Sequence, residues 1–253
     1  MVNEYKVKVV KEINISKVDF EGDWLEKEAK VVFWKSKYYV PQLPENFWDS
    51  SDGGVAPLLK EAMTVYQSQE GEGYNNTSAA VIQTQDGVVN SFLPKVVSGS
   101  LFSGIFKLNI SKPLLSTQFG IPYSSKPSVV KGVYKYKSGE IYYECPDPRK
   151  NREVNIVEGK KDNYAMTAVL YTVTDDTETL DGTNLNSFLG DNIDERVVAY
   201  AYKSGGNEES FKEFTLELKY VKEYDAEKKY KFAIVFSSSK DGDKFSGAPG
   251  STL

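Results

Sequence analysis

The sequence predicts an all-β protein: antiparallel sheets packed as a β-sandwich of jelly-roll type. Three observations point there. Short segments alternate apolar and polar residues at period two, and turn residues separate them at the spacing of a sandwich. Aromatic residues make up 13% of the 253 positions, with 17 Tyr and 13 Phe, and tyrosine suits a pleated surface that is apolar below and wet at its tip. No long helical periodicity and no internal repeat is visible, which argues against a bundle, a propeller or a solenoid.

The elements follow in order. Residues 4–10 (EYKVKVV) alternate cleanly, and residues 15–20 (ISKVDF) read as a second strand. Residues 21–29 are acidic, and 31–34 form a short apolar strand. Residues 38–57 hold three prolines and two adjacent glycines and read as one long loop, a length that often marks function. Strands are expected at 62–66 and 78–84, with a tight turn at Asp86-Gly87. Residues 101–110 and 128–137 are two more strands. The piece between them carries Pro113, Gly120, Pro122 and Pro127, so it is expected as an ordered rim loop pinned by Phe119 and Tyr123. Residues 144–162 are charged and broken by proline, an exposed excursion. Residues 164–173 (YAMTAVLYTV) are a buried strand, and 175–194 a long acidic loop anchored by Leu180, Leu185, Phe188 and Leu189. Strands at 196–202, 211–220 and 230–237 complete about eleven, with one helical turn at 223–229.

Composition excludes much chemistry. The chain has no histidine, so Ser-His-Asp triads, Cys-His pairs and histidine-ligated metals are ruled out. Cys145 is the single cysteine and cannot form an intramolecular disulfide. The formal net charge is −5 and no run of Lys or Arg forms a stripe, so nucleic acid is not an expected partner. No apolar run is long enough to span a bilayer. Glycoside cleavage by two carboxyls is the major hydrolytic chemistry that needs none of the missing groups.

Several stretches in this order resemble the putative carbohydrate metabolism domain family of gut-type bacteria. They are Asp19-Phe-Glu21 with Trp24, Gly104-Ile-Phe-Lys-Leu108, Phe119-Gly-Ile-Pro-Tyr123, Lys126-Pro127, Lys131-Gly-Val-Tyr-Lys-Tyr-Lys-Ser-Gly139 and Val197-Val-Ala-Tyr-Ala201. The tail adds Val235-Phe-Ser-Ser-Ser-Lys-Asp-Gly-Asp243 and Gly247-Ala-Pro-Gly-Ser-Thr-Leu253. The resemblance implies a galactose-binding-like jelly roll over residues 13–253. It makes residues 1–12 the last strand of a preceding immunoglobulin-like domain or a linker, and it implies a closing strand beyond Leu253. It also implies an exported protein, often a lipoprotein, acting in the periplasm or at the cell surface on saccharides. Some relatives carry the label of glycoside hydrolase.

Two constellations are candidates for function. Trp34, Trp48, Tyr74, Phe119 and Tyr123 could stack on sugar C–H faces, while Asp49, Asn75 and Lys126, with Asn46, Asp52 and Asn76, bond hydroxyls. Asp19 and Glu21 near the first strand and Asp241 and Asp243 in the tail could meet to hold a structural calcium ion. No cofactor is otherwise required. The expected function is non-catalytic binding of a polysaccharide or oligosaccharide. The alternatives are a two-carboxyl glycoside hydrolase and a structural docking domain.

Overall fold

The computed structural model describes residues 20–59 and 62–253. The expected strands at 4–10 and 15–20 lie outside them, apart from Phe20, as does the 1–12 assignment to a neighbouring domain.

The chain is an antiparallel β-sandwich. Its principal sheet has the order Lys219–Tyr220, Val197–Gly205, Tyr164–Val173, Lys229–Ser237, Ser100–Phe106, Trp48–Ser50. Tyr164–Val173 lies between two full-length neighbours, pairing Ala168 with both Ala201 and Ile234. Tyr164, Met166, Ala168 and Leu170 face one core, and Val169, Tyr171 and Val173 face another. Burial on both faces is why this strand is apolar on both, broken only by Thr167 and Thr172. The long 175–194 loop covers the outer face through Leu180, Leu185 and Phe188, as expected; Leu189 is instead exposed.

The second layer faces the inner core. Val129–Tyr136 pairs with Glu208–Glu217, and Val65–Gln67 pairs with Ala80–Ile82. Tyr134, Tyr136, Phe214 and Leu216 point inward against Leu101, Met166 and Ile234. Thr252 bridges both Gln83 and Lys137, tying the two pairs together at one end.

Four readings are corrected. Residues 24–41 form a hairpin, Trp24–Val31 with Trp34–Pro41, so Val32 and Phe33 are its turn rather than part of a strand. Val32 takes the left-handed region, φ 57°, where β-branched residues are rarely found, so no Gly or Asn announced the turn. The 38–57 stretch is not one loop. It holds the end of that hairpin, the Trp48–Ser50 strand and a short helix, Asp52–Val55. The proline-studded middle piece enters the principal sheet: Thr117–Phe119 pairs with Ser100–Phe106, and Ile121–Pro122 with Lys229–Ser237. Gly104, at φ 140°, permits this, because a Cβ there would come 2.1 Å from the Gln118 carbonyl oxygen. Residues 223–229 form a hydrogen-bonded turn, Lys228 N–H to Asp225 C=O, in place of a helical turn.

Candidate functional site

A cleft of about 1530 Å³ opens between the two layers. Its depth is apolar, lined by Phe47, Trp48, Phe214, Phe232, Ile234 and Phe236. Its mouth carries Glu21, Tyr74, Tyr123, Lys126, Glu208 and Phe211. Tyr74 sits in a short 3-10 turn, its ring 5.8 Å from Phe211, and Asn75 beside it is exposed in the left-handed region. Tyr123 is half-buried, its ring 5.2 Å from Phe232, and the Lys126 ammonium lies 4.8 Å over the Tyr220 ring.

The structure therefore brings Tyr74, Tyr123 and Lys126 around one opening, with Asn75 next to Tyr74 but not lining the cleft. Three other predicted contacts are interior. Trp48 is 2% exposed and packed by Phe20, Phe47 and Phe236, and its indole Nε1 has no hydrogen-bond partner among the described residues. Phe119 lies on the far face of the principal sheet, edge-on to Phe102 at 5.1 Å. Asp49 is buried and accepts from Tyr38 Oη (3.0 Å), Ser50 N–H (2.9 Å) and Phe106 N–H (2.8 Å), with Lys27 Nζ at 3.1 Å. Phe119 and Asp49 do not line the cleft, and Trp48 lines its depth while almost wholly buried.

The other buried carboxyls are structural in the same way. Asp52 joins the short helix to the second layer, accepting from Thr64 N–H, Thr64 Oγ1 and Val65 N–H at 2.8–2.9 Å. Burial pushes its pKa up to about 6. Asp162 anchors the tail through Ser239 Oγ, Ala248 N–H and Ser251 Oγ, and burial pushes it up as well. Neither lines the cleft; the carboxylates that do are Glu21, Glu72, Glu208 and Glu209, all near its opening. Of the calcium candidates, Asp19 lies outside the described residues. Asp241 is bound by Tyr142 Oη and Lys244 Nζ, each at 3.0 Å. Among the described residues no group of three or more His, Cys, Asp or Glu gathers to hold a metal ion.

Trp34 belongs to a separate aromatic ledge. The ring of Phe33, at the hairpin tip, lies 4.0 Å from that of Trp34, and the ring of Phe92 lies 5.5 Å from it. Phe33 is 73% and Phe92 66% exposed, more than any other aromatic ring among the described residues. The loop bearing Phe92 is shaped by three local devices. Asp86 caps Val88 N–H, Asn90 Oδ1 accepts from Phe92 N–H, and buried Leu93 packs on Val31, Leu58, Leu59 and Val97. The Arg152 guanidinium then donates to the carbonyls of Asn90 and Leu93. The sequence reading missed Phe33 and Phe92. The signal available was the run Val31-Val32-Phe33-Trp34, which a strand would have half-buried and a turn exposes.

These features define a class: a two-layer jelly-roll sandwich that holds aromatic rings out at its loops. The chain belongs to the putative carbohydrate metabolism domain family, whose profile matches residues 19–253. Two solved structures are similar. One, described as a putative glycoside hydrolase from Bacteroides thetaiotaomicron, is 25% identical, with a TM-score of 0.69 over 92% of this chain and 76% of that one. Another, described as a putative glycoside hydrolase from Bacteroides vulgatus, is 27% identical, with a TM-score of 0.66 over 90% and 86%. Comparison with curated proteins gives no match. The family gives this chain a carbohydrate-related role. No helix among the described residues is long and apolar enough to cross a membrane.

Proposed function

We propose that this domain binds saccharides without cleaving them, outside the cytoplasm, and that the Phe33–Trp34–Phe92 ledge is the contact surface. The observation that carries the reading is the exposure of two phenylalanines that both lie against a half-buried tryptophan, 73% and 66% for Phe33 and Phe92. A folded protein gains nothing by leaving such rings in water, whereas sugar C–H faces stack on them. Tyr74, Tyr123 and Lys126 at the cleft mouth, with Asn75 next to Tyr74, are the second set offered to a glycan. The apolar depth of the cleft suits a sugar poorly, because hydroxyls buried there would lose water without gaining partners.

The test is a glycan array followed by calorimetry on the best ligand. Phe33→Ala and Phe92→Ala are each expected to weaken binding at least about tenfold, or ~1.4 kcal/mol, with the unfolding midpoint unchanged. A wild-type protein that binds no glycan, or variants that bind as well as wild type, would sink the proposal.

A hydrolytic reading is favoured by the names of the two similar structures. It requires two carboxyls facing a bound glycosidic bond, one of them protonated. The carboxyls that burial pushes up, Asp52, Asp162 and Asp243, do not line the cleft. Release of reducing sugar that disappears in Glu208→Gln or Glu209→Gln would establish hydrolysis instead.

A further inference from the structure

A second, smaller cavity sits where three segments meet. They are residues 107–109 beyond the Ser100–Phe106 strand, the Thr117–Phe119 strand, and residues 179–181 of the long acidic loop. Its volume is about 370 Å³, and it shares no lining residue with the cleft.

Main-chain bonds hold the three segments together. Lys107 N–H donates to Ser116 C=O, Phe119 N–H to Leu180 C=O and Gly182 N–H to Leu114 C=O, each at 2.8 Å. Gly182 permits the last approach, because a Cβ there would come 2.8 Å from the Leu114 carbonyl oxygen. Asn109 shapes the turn after it by accepting from Ser111 Oγ (2.9 Å) and Lys112 N–H (3.0 Å). Phe119 and Leu180 pair in an antiparallel bridge, and both pack into the outer core. Side chains alternate along extended chain, so Gln118, Thr179 and Asp181 turn away from that core and line the cavity.

The lining carries both halves of hydrogen-bonding chemistry. Lys107, Asn109, Gln118 and Thr179 supply donors. Asp181 supplies an acceptor. Its Oδ1 takes Thr183 N–H (2.8 Å) and Thr183 Oγ1 (2.6 Å), and its Oδ2 has no partner among the described residues. The Lys107 ammonium, the Gln118 amide and the Thr179 hydroxyl likewise have none among the described residues. Leu108 and Leu115 add an apolar patch.

One cation and one anion leave this lining with no net formal charge, so a neutral ligand matches it. Each hydroxyl of a sugar both donates and accepts, which uses the donors and the carboxylate together. The C–H face of the ring covers the two leucines. The volume lies near the bottom of the roughly 300–1,000 Å³ range of ligand pockets, room for one ring rather than a chain.

We propose that this pocket binds one neutral sugar residue at the end of a glycan, with Asp181 accepting from its hydroxyls and Lys107, Asn109 and Gln118 donating to them. The site rests on the saccharide reading of this domain but needs neither phenylalanine of the ledge. The ledge meets sugar faces along a chain; the pocket takes in a terminus.

The experiment offers the full chain methyl glycosides of neutral hexoses and pentoses, one at a time, and reads binding by saturation-transfer NMR. Galacturonate, glucosamine and glycine are the charged comparisons. At least one neutral glycoside is expected to bind, more tightly than any charged probe. Asp181→Asn keeps the shape and a carbonyl oxygen for Thr183, and should weaken binding at least about tenfold. Gln118→Ala should weaken it about threefold. Both variants should keep the unfolding midpoint of the wild type, and Phe33→Ala with Phe92→Ala should leave glycoside binding as it is. The proposal is overturned if no neutral glycoside binds, if a charged probe binds best, if neither pocket substitution weakens binding, or if the ledge substitutions abolish it. A glycan that depends on Phe33 and Phe92, with no monosaccharide bound, keeps the ledge and removes the pocket. A glycoside lost in Asp181→Asn, with no glycan dependent on the ledge, does the opposite.

Discussion

The two faces of the principal sheet are finished differently. Val169, Tyr171, Ala233 and Val235 on the outer face are sealed by an irregular loop, which drops Leu180, Leu185 and Phe188 onto them. That loop is stitched by main chain at few points: Phe119 N–H donates to Leu180 C=O at 2.8 Å, and Arg196 pairs with Asp194 while donating to Thr179 C=O. Met166, Ile234 and Phe236 on the inner face are roofed by strands, which leave a cleft. Side chains alone can close a sheet face. A roof made of strands must also satisfy its own edges, and wherever one is unpaired the roof stays open.

Four substitutions sharpen that contrast. Leu180→Ala should be the costliest, about 4 kcal/mol by urea denaturation, because it opens a dry hole under a sealed loop around a side chain with no exposure. A loss below about 1 kcal/mol would show that the loop is not a seal.

Next is Asp52, which ties the helix to the second layer. Burial raises its pKa from the ordinary 3.8 to about 6, so the folded state holds this proton more tightly than the unfolded chain does. Its stabilising contribution is therefore present at low pH and is lost as pH rises from about 4 to about 6, by roughly 3 kcal/mol at most. Asp52→Asn should remove that component, so the difference in unfolding free energy between wild type and variant changes across this window and is flat above it. A difference independent of pH would refute the assignment.

Ile234→Ala comes third, at about 2 kcal/mol. Its side chain borders the cleft, so truncation loses transfer energy but seals off no new cavity. If it matched Leu180→Ala, the inner face would be as tightly closed as the outer. Phe33→Ala is the smallest, within about 0.5 kcal/mol of wild type in stability, and its effect should be confined to saccharide affinity.

The sandwich was legible where periodicity and burial agree. Residues 164–173 are mostly apolar because both faces are covered, and Leu180, Leu185 and Phe188 stood out as apolar anchors in an acidic loop. The hairpin tip was not legible, since Val32 and Phe33 carry none of the residues that usually make two-residue turns. Nor does a pattern of residues reveal which aromatic ring faces out. Trp48 lies in a strand of three consecutive buried residues, Trp48–Ser50, paired with Ser100–Phe106 and packed against Phe20 and Phe236, all distant in sequence. Phe119 was pinned as expected, but within the sheet rather than at a rim. Pro122 ends its two-residue strand, where a missing N–H is tolerated.

Arg152 has a consequence beyond its own bonds. Its guanidinium gathers carbonyls from residues 62 and 59 positions earlier in the chain. The loop that presents Phe92 is therefore fastened by a group synthesised long after it, and the ring cannot reach its resting geometry until the charged excursion has folded back. Replacing that one guanidinium would leave every aromatic atom of the ledge intact, yet the ligand would then have to supply the ordering that the cation now provides in advance.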